Sequence, residues 1–277
     1  MYIIGLIMFF RFPYPQNGVG IYIKRIFWST VLLKVYFLGS GAIAVPVLAA
    51  LYEASGLELV GVGTQMDRPA GRRRHLQSTP VGRWMHELQG HHADKPGSVN
   101  SEDFLSHLRR LDPDMIVVEA FGQILREPLL DLPRLGCINL HASLLPAWRG
   151  AAPINAAILH GDAETGISFM QMDRGLDTGP VFCRYAIPLP DDIRADELEM
   201  RLGHLGAAYV AQVLQRIASG ELKPEPQDDS KATHAPKIAK SDGVLDWTEP
   251  AELIARKVRA YYPWPGVFGT IPTSPRP

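Results

Sequence analysis

Short apolar runs alternate with helical stretches from Lys34 to Met172, and a chain with that rhythm has few ways to fold. Lys34 to Leu38 reads as a strand running into Gly39-Ser40-Gly41. Val47 to Ala54 then reads as a helix stopped by Gly56, and Glu58 to Gly63 as the next strand. Ser101 is placed to cap a helix through Leu108 to Arg110, after which Asp112-Pro113 turns into the buried-strand run Met115 to Val118. Leu135 to Leu140 reads as a strand, Ala151 to His160 as a helix closed by Gly161, and Gly166 to Met172 as a further strand. Strands joined by helical crossovers pair in parallel, so the expected fold is α/β: a Rossmann-like, mostly parallel sheet flanked by helices. Sites in such sheets form in the crevice outside the carboxyl ends of the strands, and motifs at those ends take priority.

Beyond the sheet, Leu198, Leu202, Leu205, Val213, Leu214 and Ile217 form an apolar helical stripe, and the polar, Pro-containing run from Glu221 to Lys231 reads as a linker. The 277 residues carry 28 Lys plus Arg against 29 Asp plus Glu, a balance that argues against a surface built wholesale to coat nucleic acid but leaves room for one local basic patch. Two cysteines, Cys137 and Cys183, are too few for a disulfide scaffold or a cysteine-based zinc site, and suit a reducing compartment. His75, His86, His91 and His92 lie in a polar segment without metal-ligand spacing, so no metal is expected. The first segment, through Lys34, contains no acidic residue. Its apolar run from Tyr2 to Phe10 is shorter than the roughly 20 residues of a membrane span and lacks the charge order of a signal peptide. That segment is expected to be translated upstream sequence, with initiation nearer Leu32, the alternative being a genuine arm; a cytoplasmic protein is expected.

Gly39-Ser40-Gly41-Ala42-Ile43-Ala44, between a strand and a helix, fits the glycine pattern of a dinucleotide-binding turn. A nicotinamide oxidoreductase is therefore an alternative. That fingerprint also requires an acidic residue at the end of the second strand, and Asp67 falls after it. A second reading is that these glycines serve only a tight turn and close helix packing.

A polar constellation lies further along. Asn139-Leu140-His141 sits at a strand end, where the period of two points Asn139 and His141 to one side and Leu140 to the other. Gly175-Leu176-Asp177-Thr178-Gly179 places one carboxylate in a glycine-flanked loop. Singly, each has a plain structural reading: a satisfied strand-end histidine, a turn aspartate, a backbone-bonding amide. Together they provide a donor for a developing oxyanion, an imidazole and a carboxylate able to take a proton, a complete set for acyl transfer.

Cys137 to Val181, containing NLHASLLPAWRGAAPINAAI and TGISFMQMDRGLDTGPV, resembles the core of the methionyl-tRNA formyltransferase family of folate-dependent enzymes. The resemblance extends to Gln65 through Arg72 upstream and to Tyr262-Pro263-Trp264-Pro265-Gly266 downstream. It implies that Asn139, His141 and Asp177 are the catalytic set, and that Ser143, Leu144, Leu145 and Pro146 bind the donor, 10-formyltetrahydrofolate. Arg68, Arg72, Arg73 and Arg74 would form the loop that meets methionyl initiator tRNA, with Arg72 as its key arginine. Arginine forks suit phosphate oxygens, although a charge run of this kind can also be plain solvated surface. The implied division is a non-family extension over 1–32, a catalytic domain over 33–220, a linker over 221–232 and the truncated start of a C-terminal β-barrel-type tRNA-binding domain over 233–277. A monomer is expected. Phe121-Gly122-Gln123-Ile124-Leu125 replaces the family's usual Tyr-Gly-x-Ile-Leu, and Gly41-Ala42 departs from its Pro-containing turn. Related formyltransferases and hydrolases that share the Asn, His and Asp set, and an idle folate-binding fragment, stand as alternatives.

Overall fold

The computed structural model describes residues 32–70, 75–88 and 90–270. The reading made of the N-terminal segment up to residue 31 lies outside them. In chain order the elements are β1 (Leu33–Gly39), α1 (Ala44–Glu53), β2 (Leu57–Gly63), β3 (Arg68–Ala70), β4 (His75–Gln77), α2 (Pro80–Glu87), α3 (Glu102–Leu111), β5 (Met115–Glu119) and α4 (Glu127–Leu130). They continue with β6 (Cys137–His141), β7 (Arg149–Gly150), α5 (Pro153–His160), β8 (Glu164–Gln171), β9 (Val181–Pro188), α6 (Ala195–Ala218), β10 (His234–Ala235) and α7 (Ala251–Ala260).

Six strands form one sheet in the order β2-β1-β5-β6-β8-β9. β2, β1, β5 and β6 run parallel, while β8 pairs antiparallel with β6, and β9 antiparallel with β8. The expected mostly parallel α/β sheet is present, with a two-strand antiparallel edge. The chain leaves β1 toward β2 on one side and returns to β5 on the other, so the loops after β1 and β5 diverge and open a crevice at the carboxyl ends.

Both faces of the central strands are covered, which is why Val35, Tyr36, Phe37 and Leu38 are all apolar or aromatic and fully buried. Alternation sorts them. Val35, Phe37, Met115, Val117, Ile138, Leu140, Ile167 and Phe169 face a core shared with α1, α5 and α6. Tyr36, Leu38, Ile116, Val118 and Cys137 face α3 and α4. Tyr36 brings a hydroxyl into that second layer and satisfies it by donating to Asp94 Oδ2 at 2.7 Å.

The helices follow the sequence signals with small shifts. α1 begins three residues before the expected Val47, since Pro46 falls in its first turn, where no intrahelical N–H is needed. Ser101 is the N-cap of α3, but its hydroxyl donates to Ser98 O at 2.8 Å. The first turn is instead favoured by the charges of Glu102 and Asp103 against the helix dipole. β9 and the β3–β4 hairpin are beyond the apolar pattern because both present polar, partly solvated faces. The run from Glu221 to Lys231, expected as a linker, is stitched to the sheet: Glu225 and Val181 exchange backbone hydrogen bonds of 2.8 and 2.9 Å. Among the described residues no helix is long and apolar enough to cross a membrane.

Candidate active site

A cavity of about 650 Å³ opens where the carboxyl ends of β1, β5 and β6 meet. Its size suits a small organic ligand. Asn139, Leu140 and His141 all line it, and the Leu140 side chain packs in the core shared with α1 and α6. Asp177 reaches the same cavity from the loop between β8 and β9. The three residues singled out as a catalytic set are therefore brought together.

His141 is 6% exposed, and its ring is held from both sides. Nε2 lies 2.9 Å from Trp148 O and therefore carries the proton, since a carbonyl only accepts. Nδ1 faces Asp177 Oδ2 at 3.7 Å. The Nε2 proton is thus committed to a carbonyl. Trp148, itself in the left-handed region at φ +60, directs its carbonyl at the ring. Its backbone N–H donates to Thr233 Oγ1 and its indole N–H to Asp162 Oδ2. The Asn139 side chain has no hydrogen-bond partner among the described residues, so its amide is the uncommitted donor.

The loop carrying Asp177 is braced by residues that sequence reasoning missed. Asp177 sits at φ +54, a conformation aspartate tolerates better than most residues. Its Oδ2 accepts from Gly150 N–H at 2.8 Å, and its backbone carbonyl accepts from Gln227 Nε2 at 2.8 Å. The same Gln227 amide donates to Gly179 O at 2.7 Å. Gln227 is oriented in turn by Arg149, buried to 4% exposure, whose Nε and Nη2 donate to Gln227 Oε1 at 3.1 and 2.9 Å. A Cβ at Gly150 would lie 2.5 Å from Ala235 O, so only glycine lets this backbone come close enough to deliver its N–H. Nothing in a polar linker sequence signals that Gln227 clamps a catalytic loop. We expect Gln227→Ala to lower kcat about 10-fold to 100-fold by loosening that loop, and to lower the thermal unfolding midpoint as well, because it strips the buried Arg149 guanidinium of a partner. Steady-state kinetics beside a melting curve checks it, and an unchanged kcat would count against the clamp.

Ser143, Leu144, Leu145 and Pro146 are placed differently from expectation. None of the four lines the cavity. Ser143 and Leu145 are buried, the Ser143 hydroxyl donates to Ala147 O at 2.5 Å, and Leu145 packs with Met170 and Val181. Ser168 ties the turn to β8, its hydroxyl donating to Ser143 O and accepting from Leu145 N–H. These atoms are spent on shaping the turn that leads to Trp148.

Of the arginines, Arg68 opens β3, is exposed, and donates to Gln65 Oε1 at 3.1 Å. Arg72, Arg73 and Arg74 lie outside the described residues. Asp67, the late acid of the dinucleotide reading, pairs with Lys95 at 2.6 Å, which holds its carboxyl below the usual carboxylate range. The N-terminal end of α1 is occupied as well: Ile43 N–H donates to Glu199 Oε1 at 3.4 Å, so a carboxylate of this chain stands where a dinucleotide phosphate would bind.

Glu119 is the other residue that the sequence reading passed over. It ends β5, is 1% exposed, lines the cavity, and neither carboxyl oxygen has a hydrogen-bond partner among the described residues. Burial, and then the nearby Glu199, push its carboxyl well above the usual range. Leaving such a group unsatisfied costs about 1–3 kcal/mol. Glu199 is raised too, by burial, with Ile43 N–H opposing the shift. Among the described residues no group of His, Cys, Asp or Glu is arranged to hold a metal ion.

Residues 33–214 match the family described as formyl transferase, and residues 237–275 the formyl transferase C-terminal domain. The methionyl-tRNA formyltransferase of Halorhodospira halophila is 48% identical over 235 residues, covering 84% of this chain and 74% of that protein. That of Aromatoleum aromaticum is 46% identical over 239 residues, covering 86% and 75%. Among solved structures, a sugar N-formyltransferase from Shewanella superposes with a TM-score of 0.65 at 15% identity, covering 87% of this chain and 93% of that one. HypX from Aquifex aeolicus, in complex with tetrahydrofolic acid, gives 0.62 at 17% identity, covering 86% and 36%. The distant structures speak for the fold and the sequence matches for the family. The chain that carries the Asn139, His141 and Asp177 cavity thus matches enzymes of one kind over most of its length, and it belongs to the methionyl-tRNA formyltransferase family.

Proposed function

We propose that this protein transfers a formyl group from a folate donor, 10-formyltetrahydrofolate, to the α-amino group of methionyl initiator tRNA. The observation that carries the reading is the convergence of Asn139, His141 and Asp177 on one cavity at the carboxyl ends of the parallel strands. The side of that cavity against α3, with Val118, Phe121, Leu125 and Met172, is apolar enough to receive the flat ring of the donor. Ser143 to Pro146 then support the donor site from beneath, as the turn that sets Trp148.

The α-amine attacks the formyl carbon as the neutral amine, its ammonium proton already lost to solvent, and sheds a further proton as the new C–N bond forms. Asp177 Oδ1, free of partners among the described residues, receives it, while Oδ2 stays on Gly150 N–H. His141, anchored through Nε2 on Trp148 O, sets its ring beside Asp177, with Nδ1 3.7 Å from Oδ2, and fixes by packing where the carboxyl lies. Negative charge gathering on the formyl oxygen is met by the Asn139 amide. When the bond to the donor nitrogen breaks, Asp177 returns the proton to that nitrogen, so the reaction ends with a formylated amine, tetrahydrofolate and an unchanged enzyme.

In this reading residues 33–220 are the catalytic domain, 221–232 the connection and 233–277 the beginning of a tRNA-contacting domain, with 1–32 outside the family pattern. Arg68, Arg72, Arg73 and Arg74 meet the phosphates of the acceptor end. The protein works in the cytoplasm, as a monomer, where translation begins. Purified chain incubated with 10-formyltetrahydrofolate and methionyl initiator tRNA should produce formyl-methionine. Arg72→Ala should raise KM for tRNA about 10-fold, the loss of one charge-assisted contact, and leave KM for the donor unchanged. Donor binding without any formyl-methionine would defeat the assignment.

A further inference from the structure

The cavity has two sides, divided by the plane of the sheet. Asn139 and His141 share the parity of Cys137, which faces α3. Glu119 shares the parity of Met115 and Val117, which face α1 and α6. On its side the lining includes Ile43, Asp196, Glu199, Tyr262 and Trp264. With the donor ring filling the apolar α3 side, the room left for the attacking amine is on this other side.

That side holds a buried polar group with nothing to bind it. Glu119 is 1% exposed, and both its oxygens are unpartnered among the described residues. Glu199, from α6, stands behind it with Ile43 N–H, at the start of α1, on Oε1. Glycine at position 41 leaves the niche bare: a Cβ there would lie 3.0 Å from the Ala120 Cβ and 3.8 Å from Glu199 Oε1. This gives a physical reason for a glycine where the family pattern has a proline-containing turn. A lobe lined by three carboxyl groups offers acceptor oxygens to N–H and O–H donors.

We propose that Glu119, backed by Glu199, is a specificity subsite that receives a hydrogen-bond donor from the aminoacyl-nucleoside end of the acceptor. Two groups there have this chemistry, the α-amino group and the free ribose hydroxyl beside the ester. The inference rests on the formyl-transfer reading for the identity of the acceptor. A buried carboxyl kept unpaired in the free protein is satisfied when the acceptor arrives, and an acceptor lacking that donor leaves it unpaired, which makes the group discriminating.

The test is Glu119→Val, an apolar β-branched residue suited to the end of a buried strand. KM for methionyl-tRNA should rise about 10-fold with KM for the formyl donor unchanged. Should that variant fail to fold, Glu119→Gln carries the same test with an expected rise of about threefold. Calorimetric binding of an unreactive methionyl-adenosine amide, compared with its 2′-deoxy and its N-acetyl analogues, identifies the donor: the group whose loss weakens binding to wild type but not to Glu119→Val is the partner. An unchanged acceptor KM, a shift in donor KM instead, or equal discrimination by both proteins would overturn the subsite. Failure of wild type to transfer formyl while amide binding still depends on Glu119 would sink the transferase reading and spare this one.

Discussion

Asp177→Asn lowers kcat for formyl transfer about 10³-fold while leaving the affinity for the formyl donor within a few-fold of wild type. The substitution isolates the proton transfer from the architecture. An asparagine oxygen still accepts from Gly150 N–H, and the Gln227 clamp holds the backbone of residue 177 and not its side chain, so the loop keeps its course. What disappears is the oxygen proposed to take the amine proton and hand it to the departing nitrogen. Single-turnover formation of formyl-methionine, with donor affinity measured separately by equilibrium titration, reads the two effects apart. A kcat within threefold of wild type would assign the base elsewhere, and a matching loss of donor affinity would make Asp177 a binding residue.

Asn139→Ala should lower kcat about 10²-fold to 10³-fold, the usual cost of one oxyanion donor. Because Nε2 of His141 is committed to Trp148 O and Nδ1 is turned to Asp177, Asn139 supplies the donor with least to give up. Its side chain holds nothing else in place among the described residues, so the thermal unfolding midpoint should stay within about 1 °C. The same pair of measurements applies. A large rise in the donor dissociation constant at constant kcat would recast Asn139 as a group that grips the ground state.

The convergence of Asn139, His141 and Asp177 on one cavity was legible in the sequence for identifiable reasons. Asn139 and His141 stand two residues apart at the end of a strand, and a pleated strand has only one way to present such a pair. Asp177 is flanked by glycines that mark a loop rather than a core. The bracing was not legible. Gln227 lies 50 residues from Asp177, in a stretch whose composition reads as a spacer, and Arg149 reads as one more surface charge until the fold buries it. Ser143 and Leu145 illustrate the converse, residues of a recognisable motif whose side chains turn inward to make a bend.

What the sequence determined by itself is therefore the local and periodic part: buried strands such as Val35 to Leu38, the crossover helices, the parallel arrangement they impose, and the polar residues at strand ends. Apolar spacing is written into neighbouring residues, and the hydrophobic effect acts on it without reference to distant partners. The tertiary structure alone decided the antiparallel edge of β8 and β9, the inward turn after His141, the Arg149, Gln227 and Asp177 chain, and the meeting of Glu119 with Glu199. Each of these depends on groups far apart in the chain whose hydrogen bonds and charges acquire their strength only once folding has removed water from between them.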